Sequence, residues 1–287
     1  MLLFLLLFPA VIAALLYARR VQTLRGTRRA VPGWRQVCMI SGLALIVIAI
    51  GSPIGSIGGD LFSVHMVEHL LLGDIATLLI VVGLTAPLLA PVLQLPGVDR
   101  LRVLINPLVA FPLWAINLYI WHLPLLHEAA VRNELIHVVQ HAAFVMLGIN
   151  IWMALLGPLP KPGWFGTAAQ FAYIVAVRLT GAVLGNVLLF GDVFYRVYDP
   201  GHAKWNVSAA SDQAFAGGLM MFEGSVLTLG LLAWLFLKTA QQSDERQELV
   251  EFARSKGVEL TDSRAARAVA AGRGEELRER IGAGAGV

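Results

Sequence analysis

The sequence contains few charged residues and only one cysteine. Asp, Glu, Lys and Arg make up 14% of its 287 residues, whereas soluble domains contain about a quarter. The single Cys38 excludes an intramolecular disulfide and a cysteine-based zinc site, and it is most simply a small apolar residue of a hydrophobic segment. Hydrophobic residues, by contrast, make up 57% of the chain. This composition predicts a polytopic membrane protein rather than a soluble globular domain.

Several apolar segments are long enough to cross a bilayer, whose core is spanned by about 20 residues of helix. The segments cover residues 2–18, 37–54, 61–91, 107–126, 133–157, 166–190 and 212–237. We expect the long third segment to tilt or to end at Pro87. The pattern predicts an all-α, polytopic membrane helical bundle of about seven transmembrane helices in residues 1–238. Residues 239–287 mix charged residues with Ala and Gly, which is typical of a partly helical or disordered tail.

The distribution of arginine predicts the orientation of this bundle. The loop at residues 19–36 contains the largest group of basic side chains among the loops, and such loops remain in the cytoplasm. Alternation of the helices then places the N-terminus outside and the C-terminal tail in the cytoplasm. We therefore predict a multi-pass protein of the plasma membrane.

In this topology every histidine falls on the outer side of the membrane. Two of the helices begin with the same pattern, HMVEH at 65–69 and HVVQH at 137–141. Histidines at positions i and i+4 share one helix face, about 6 Å apart along the axis. His122 lies at a similar depth, near the outer end of the fourth segment. His127 and His202 fall in the outer loops and are interpreted as interfacial polar residues.

Imidazoles from two or three helices can converge at one level, which is how helical bundles build metal and cofactor sites. The predicted ligands are His65, His69, His122, His137 and His141. Met66 and Met220 are further candidates, because thioether together with imidazole suits copper, whereas imidazole alone also suits zinc or haem iron. Glu68 and Gln140 lie inside the histidine pairs and are predicted to orient the imidazoles.

Three charged residues lie deeper in the apolar segments: Asp74, Arg178 and Glu223. Because unpaired charges are costly there, we expect them to face the interior of the bundle and to pair. The helical phase turns Asp74 away from the face of His65 and His69, so we predict that it pairs with Arg178 rather than binding the metal.

Four short motifs resemble the caa3-type cytochrome c oxidase assembly factor family. They are HMVEHLLL from His65, WH at 121–122, HVVQH at 137–141 and DQAFAGGLM at 212–220. The resemblance implies a seven-helix membrane protein that is needed to make active haem-copper oxidase and that helps to deliver copper. It also implies that the five predicted histidine ligands form the functional set, with Asp212 and Gln213 of the last motif in supporting positions.

We therefore predict an assembly factor, not an enzyme, that accepts copper on the outer side and helps to metallate an oxidase. Its predicted partners are a haem-copper oxidase subunit or a copper-donor protein on the outer side, and the lipid bilayer, but no nucleic acid. A site that hands over its metal should be shallow and reachable.

Three alternatives remain open at this point. A membrane cytochrome would take one axial haem ligand from each histidine pair. A metal-dependent membrane enzyme would need more carboxylates near the histidines than Glu68. A transporter would use Asp74, Arg178 and Glu223 as its pathway.

Overall fold

The structure is a computed structural model that describes residues 2–283, including their side chains except those of residues 2–6, 99 and 101. All regular secondary structure in this range is helical, as predicted. The helices are α1 (Leu2–Leu24), α2 (Gly33–Gly51), α3 (Pro53–Ile57), α4 (Phe62–Gly83), α5 (Ala86–Leu93), α6 (Val98–Leu101), α7 (Pro107–Trp121), α8 (Pro124–Arg132), α9 (Glu134–Leu156), α10 (Thr167–Phe190), α11 (Asp199–Trp205), α12 (Ala209–Ser255), α13 (Asp262–Ala270) and α14 (Gly274–Gly282). A short 3-10 turn, Arg196–Tyr198, precedes α11.

Six of these helices are long and apolar enough to cross a membrane, or seven if the bent pair α7 and α8 counts as one span. This confirms the predicted number. The fourth predicted segment, 107–126, is not straight, however, because the axes of α7 and α8 differ by 71°. Pro124 lies in the first turn of α8, where its missing N–H and fixed φ favour the start of a new helix. The chain therefore turns sharply after Trp121.

The third span is shorter than the predicted segment 61–91. Helix α4 ends at Gly83, and Pro87 lies in the first turn of α5 instead of ending the span. The guanidinium of Arg35 donates hydrogen bonds of 2.8 and 2.7 Å to the carbonyls of Val82 and Leu84. An arginine at this position satisfies the carbonyls that the last helical turn leaves without partners.

The middle of α4 contains a π-helical turn, Leu71–Ala76. A π turn displaces backbone carbonyls from their ordinary partners, and side chains bond to two of them here. The hydroxyl of Thr77 donates to Gly73 O at 2.5 Å, and the indole Nε1 of Trp152 on α9 donates to Asp74 O at 3.1 Å. The π turn is thus tied to the neighbouring helix.

Helices α4 and α9 approach most closely where two glycines meet. A Cβ atom added to Gly148 would collide with the carbonyl oxygen of Gly73, and one added to Gly73 would touch Phe144. Small residues allow helix backbones to approach each other in this way within a membrane. The contact holds together the two helices that carry the histidine pairs.

The chain divides into two compact units, one ending at Val226 and the other beginning at Leu227. Helix α12 continues past Val226 to Ser255, so residue 238, the predicted end of the membrane bundle, lies inside a helix. The division into a bundle and a tail at residue 238 stays a prediction. The second unit is helical through α13 and α14. Within it, Arg246 forms an ion pair of 3.2 Å with Asp262.

Candidate metal centre

The two histidine pairs meet near the N-terminal ends of α4 and α9. Within each pair the ring centroids are 4.2 Å apart for His65 and His69, and 4.1 Å apart for His137 and His141. Between the helices, His65 lies 5.1 Å from His137, and His69 lies 5.3 Å from His141. The predicted convergence of the HMVEH and HVVQH motifs is therefore present in the structure.

The start of α4 is fixed by a residue of α12. The carboxylate of Asp212 accepts hydrogen bonds of 2.8 and 3.0 Å from the backbone N–H groups of Phe62 and Ser63. It also lies 3.0 Å from Nε2 of His202. Helix α4 has no capping side chain of its own, so Asp212 supplies the acceptor for its first free N–H groups. The helix that carries His65 and His69 is thereby anchored to α12.

Helix α9 is capped within its own sequence. The side chain of Asn133 accepts hydrogen bonds from the backbone N–H groups of Leu135 and Ile136, at 3.0 and 3.2 Å. Glu134 in the first turn places a negative charge at the positive end of the helix dipole. This local sequence explains why the helix begins one turn before His137.

The histidine side chains are buried without enough hydrogen-bond partners. His65, His69 and His141 are between 1% and 3% exposed. Five of the buried ring nitrogens have no hydrogen-bond partner: Nε2 of His65, both ring nitrogens of His69, Nε2 of His137 and Nε2 of His141. Each unsatisfied buried polar group costs about 1–3 kcal/mol, and such groups are uncommon in folded proteins. Their grouping at one place fits a bound metal ion, for which neutral imidazole nitrogen is a suitable ligand.

The donor atoms fall into two overlapping groups of three. One group contains His65, His69 and His137, and the other contains Glu68, His137 and His141. Within each group the ligand atoms lie within 4.8 Å of one another. Glu68 is 2% exposed, and its Oε1 lies 3.7 Å from Nε2 of His141. The sequence predicted that Glu68 orients the imidazoles, whereas this geometry also allows its carboxylate to bind an ion directly.

His122 lies beside the centre but is not in either group. Its Nδ1 lies 2.6 Å from the carbonyl of Leu118, and its Nε2 is buried without a partner. Its ring centroid lies 6.4 Å from that of His127. Its assignment as a ligand stays a prediction.

His127 is a residue that sequence reasoning missed. It was interpreted as interfacial, but the bend after α7 turns it inward, where it is fully buried with its ring 4.9 Å from that of His65. Its Nε2 lies 2.9 Å from the hydroxyl of Tyr198. Burial raises the pKa of Tyr198 well above its ordinary value, so the phenol stays protonated. Pro124, three residues before His127, is the only local signal for this turn.

The segment between α10 and α11 also packs against the site. Tyr195 donates a 2.7 Å hydrogen bond to the carbonyl of His122, and its ring packs against Phe62.

The side chain of Gln213 bonds to the same segment. It accepts a hydrogen bond from the N–H of Phe194 and donates one to the carbonyl of Asp192, both at 2.8 Å. The hydrogen bonds of Gln213 thus go to backbone groups of α10 and of this segment, and its predicted supporting role at the centre stays a prediction.

His202 is the second loop histidine that sequence reasoning interpreted as interfacial. It is only 8% exposed and faces Asp212. Gly201 beside it approaches the backbone of Asp60 so closely that a Cβ atom would collide with the Asp60 carbonyl. Nearby, Lys204 forms a 2.6 Å ion pair with the Asp60 carboxylate. These contacts fasten α11 to the turn that precedes α4.

The remaining predicted residues are buried. Gln140 is fully buried, and neither its amide oxygen nor its amide nitrogen has a partner. Met66 is 1% exposed on α4, and Met220 is 6% exposed on α12. The assignment of Gln140 as an orienting residue stays a prediction, and so does the assignment of the two methionines as sulfur ligands.

The charged residues in the apolar spans are arranged differently from the expected Asp74–Arg178 pair. The guanidinium of Arg178 donates hydrogen bonds of 3.3 Å to the carbonyl of Met221 and 3.0 Å to the hydroxyl of Ser225 on α12. Within the described part of the chain, no ion pair of 4.0 Å or less joins Arg178 to Asp74. Oε1 of Glu223 is buried without a hydrogen-bond partner.

The centre is more enclosed than the shallow, reachable site that the sequence suggested. His137 is the only one of the four paired histidines that is partly exposed, whereas the other three are buried. His137, near the N-terminal end of α9, is therefore the paired histidine that reaches the protein surface.

Comparison with known proteins gives one family. The model of the cytochrome c oxidase caa3 assembly factor family (Caa3_CtaG) matches residues 15–242, a range that includes both histidine pairs and Asp212. "Uncharacterized protein Mb0105" of Mycobacterium bovis is 27% identical over 230 residues, which cover 73% of this chain and 34% of that protein. "Uncharacterized protein ML1998" of Mycobacterium leprae is 25% identical over 239 residues, which cover 75% of this chain and 36% of that protein.

The chain thus spans about a third of the length of the curated relatives that it matches. No solved structure matches it significantly.

Proposed function

Because this chain belongs to the cytochrome c oxidase caa3 assembly factor family, we propose that it binds copper at the histidine centre and passes it to a haem-copper oxidase. Copper is the cargo of this function and not a resident cofactor. The protein would accept the ion on the outer side of the plasma membrane and transfer it to an oxidase subunit, with or without a separate copper-donor protein. No catalysed reaction is part of this proposal.

One observation carries the proposal: two histidine pairs from different helices face each other, and several of their ring nitrogens are buried without hydrogen-bond partners. Five such nitrogens come from His65, His69, His137 and His141. A structural role would require hydrogen-bond partners for them. A metal ion satisfies several of these nitrogens at once.

The spacing of the rings favours a single ion over haem. The imidazoles of α4 and α9 are in direct ring contact, with centroids 5.1 and 5.3 Å apart. The flat macrocycle of a haem would have to lie between its two axial histidines, and these contacts leave no room for it. Imidazole donors also suit copper and zinc, so metal analysis must decide between those two ions.

The proposed orientation rests on the arginines of the loop between α1 and α2. Such basic loops remain in the cytoplasm, and this loop is at the opposite end of α4 from the histidines, where Arg35 caps Val82 and Leu84. A centre on the outer side suits transfer of copper to a site that is assembled from that side.

The direct test is metal analysis of the purified, full-length protein with its absorption spectrum, after exposure to Cu(I) without oxygen. The test variant changes His65, His69, His137 and His141 to Ala. The matched control changes His127 and His202, the histidines of α8 and α11 that lie outside both donor groups, to Gln. We expect copper and no Soret band in the wild type, copper in the control and none in the test variant.

Copper that is lost only in the variant of His127 and His202 would contradict the proposal. So would a haem spectrum in the wild type, or zinc that Cu(I) does not displace. The transfer step is tested separately, by measuring the copper content of an oxidase subunit produced together with the wild type or with the four-histidine variant.

A further inference from the structure

The candidate centre contains more donor atoms than one ion can use. The five residues His65, Glu68, His69, His137 and His141 form two overlapping groups of three donors whose atoms lie within 4.8 Å of one another, and the described part of the chain contains no larger group. His65 and His141 belong to different groups. The five residues therefore form two positions that share His137 and not one position with five ligands.

Glu68 gives the second position an independent basis. Its side chain is 2% exposed, and Oε2 has no hydrogen-bond partner. A buried carboxylate without a counter-charge is costly in the interior of a membrane protein. An ion bound only by His65, His69 and His137 would leave Glu68 outside its ligand set. A second cation beside Glu68 and His141 would supply the missing charge.

The charge of the centre limits the kind of ion. Glu68 is the only acidic residue in the two donor groups. Two divalent ions would place four positive charges beside one carboxylate. Two monovalent ions would place only two positive charges beside it. Because uncompensated buried charge is unfavourable, the donor set favours monovalent ions, and imidazole binds Cu(I) among these.

We propose that the centre holds two Cu(I) ions at once, one bound by His65, His69 and His137 and the other by Glu68 and His141. This inference rests on the proposed copper-binding function and adds a second, separately removable position to it. A neutral imidazole offers one lone pair, so His137 binds one ion at a time. The ion beside Glu68 then has fewer protein ligands and is the first to be handed over.

The experiment counts copper atoms per protein after the purified, full-length chain is loaded with excess Cu(I) without oxygen and desalted. Glu68→Gln removes the charge but keeps the size of the side chain, and His141→Asn removes the other ligand of the second position. The matched control is Glu134→Gln, which removes an exposed carboxylate from the same helix as His137. We expect two copper atoms in the wild type and the control, and one in each of the two test variants.

The outcomes separate this inference from the proposed function. A wild type that binds one copper atom overturns the two-ion centre but leaves the copper-binding function intact. A wild type that binds none overturns both. Two copper atoms in Glu68→Gln would exclude Glu68 as the basis of the second position.

A monodisperse Glu68→Gln protein without copper would show that the two positions are not separable, and it would also overturn the inference. X-ray absorption provides a second measurement on the wild type. Two ions at adjacent positions should give a copper–copper scattering path at about 3.5–4 Å, and this path should vanish in Glu68→Gln.

Discussion

Oδ2 of Asp212 lies 2.8 Å from the backbone nitrogen of Phe62, although the two residues are 150 positions apart in the chain. Through this bond, a residue at the start of the last long helix fixes the start of the helix that carries His65 and His69. Capping by a side chain normally comes from the helix's own sequence. Here it links two helices, so the position of one histidine pair depends on a distant part of the chain.

Replacing Asp212 with Ala should destabilise the protein by about 2 kcal/mol, the upper range for loss of a helix N-cap. The first N–H groups of α4 would lose their acceptor, and His202 would lose its partner. Asp212→Asn keeps one acceptor oxygen and should lose less. Thermal unfolding in detergent measures both variants, and equal unfolding temperatures for Asp212→Ala and the wild type would show that the cap is dispensable.

Replacing His69 with Leu should separate metal binding from folding. In metal-free protein, His69 buries two unsatisfied nitrogens that cost about 1–3 kcal/mol each, so His69→Leu should be at least as stable as the wild type. Added Cu(I) should raise the unfolding temperature of the wild type, because a ligand at 1,000 times its Kd stabilises by about 4 kcal/mol. The same addition should raise the unfolding temperature of His69→Leu much less. A metal-free His69→Leu protein that unfolds well below the wild type would contradict this account.

Gly148→Ala should disrupt the contact between α4 and α9. The new methyl group would collide with the carbonyl of Gly73, and overpacking of this kind costs about 1–3 kcal/mol. Copper content should fall along with stability, because the two histidine pairs would move apart. Gly181→Ala in α10 is the control: nothing lies within 4 Å of its Cβ position, so it should change stability by no more than about 1 kcal/mol. Equal behaviour of the two variants would contradict the importance of the glycine contact.

The ion pair between Asp60 and Lys204 should make the free energy of unfolding depend on pH. Hydrogen bonds from Lys204 and Trp205 hold the pKa of Asp60 below its ordinary value of 3.8. A lowered carboxyl pKa stabilises the folded state above the unfolded-state pKa, and this contribution is lost as pH falls through the folded-state pKa.

Asp60→Asn should therefore be less stable than the wild type at pH 6, by at most about 1 kcal/mol for such an exposed pair. The two proteins should converge toward pH 3, which unfolding curves at both pH values would reveal. A difference that stays constant between these pH values would rule out the ion pair as its source.

Much of the fold and of the centre could be predicted from the sequence, because both depend on local patterns. Apolar length predicted the spans, and the i, i+4 spacing predicted that each helix presents two imidazoles on one face. His65, His69, His137 and His141 followed directly from that spacing. The place of Glu68 in a group of donor atoms did not follow, since the phase of one helix does not reveal which side chains of its neighbour it will meet.

The contributions of the loops could not be predicted for a related reason. His127 and His202 appear as isolated polar residues in the sequence, and only the 71° bend after α7 and the contact with Asp212 bury them. Arg178 likewise bonds to Met221 and Ser225 because α12 passes beside it. Such contacts join residues from distant parts of the chain and leave no periodic signal in the sequence.

The π turn of α4 has a consequence for how the two halves of that helix are oriented. It accommodates one more residue than an α-helical turn would, so it sets the rotation of the histidine-bearing half relative to the half that ends at Gly83. If the same residues wound as ordinary α-helix, the extra residue would turn His65 and His69 by about 100° with respect to the half that ends at Gly83. The direction in which the imidazoles point is therefore determined by chain length within a single turn as well as by the residues that surround them.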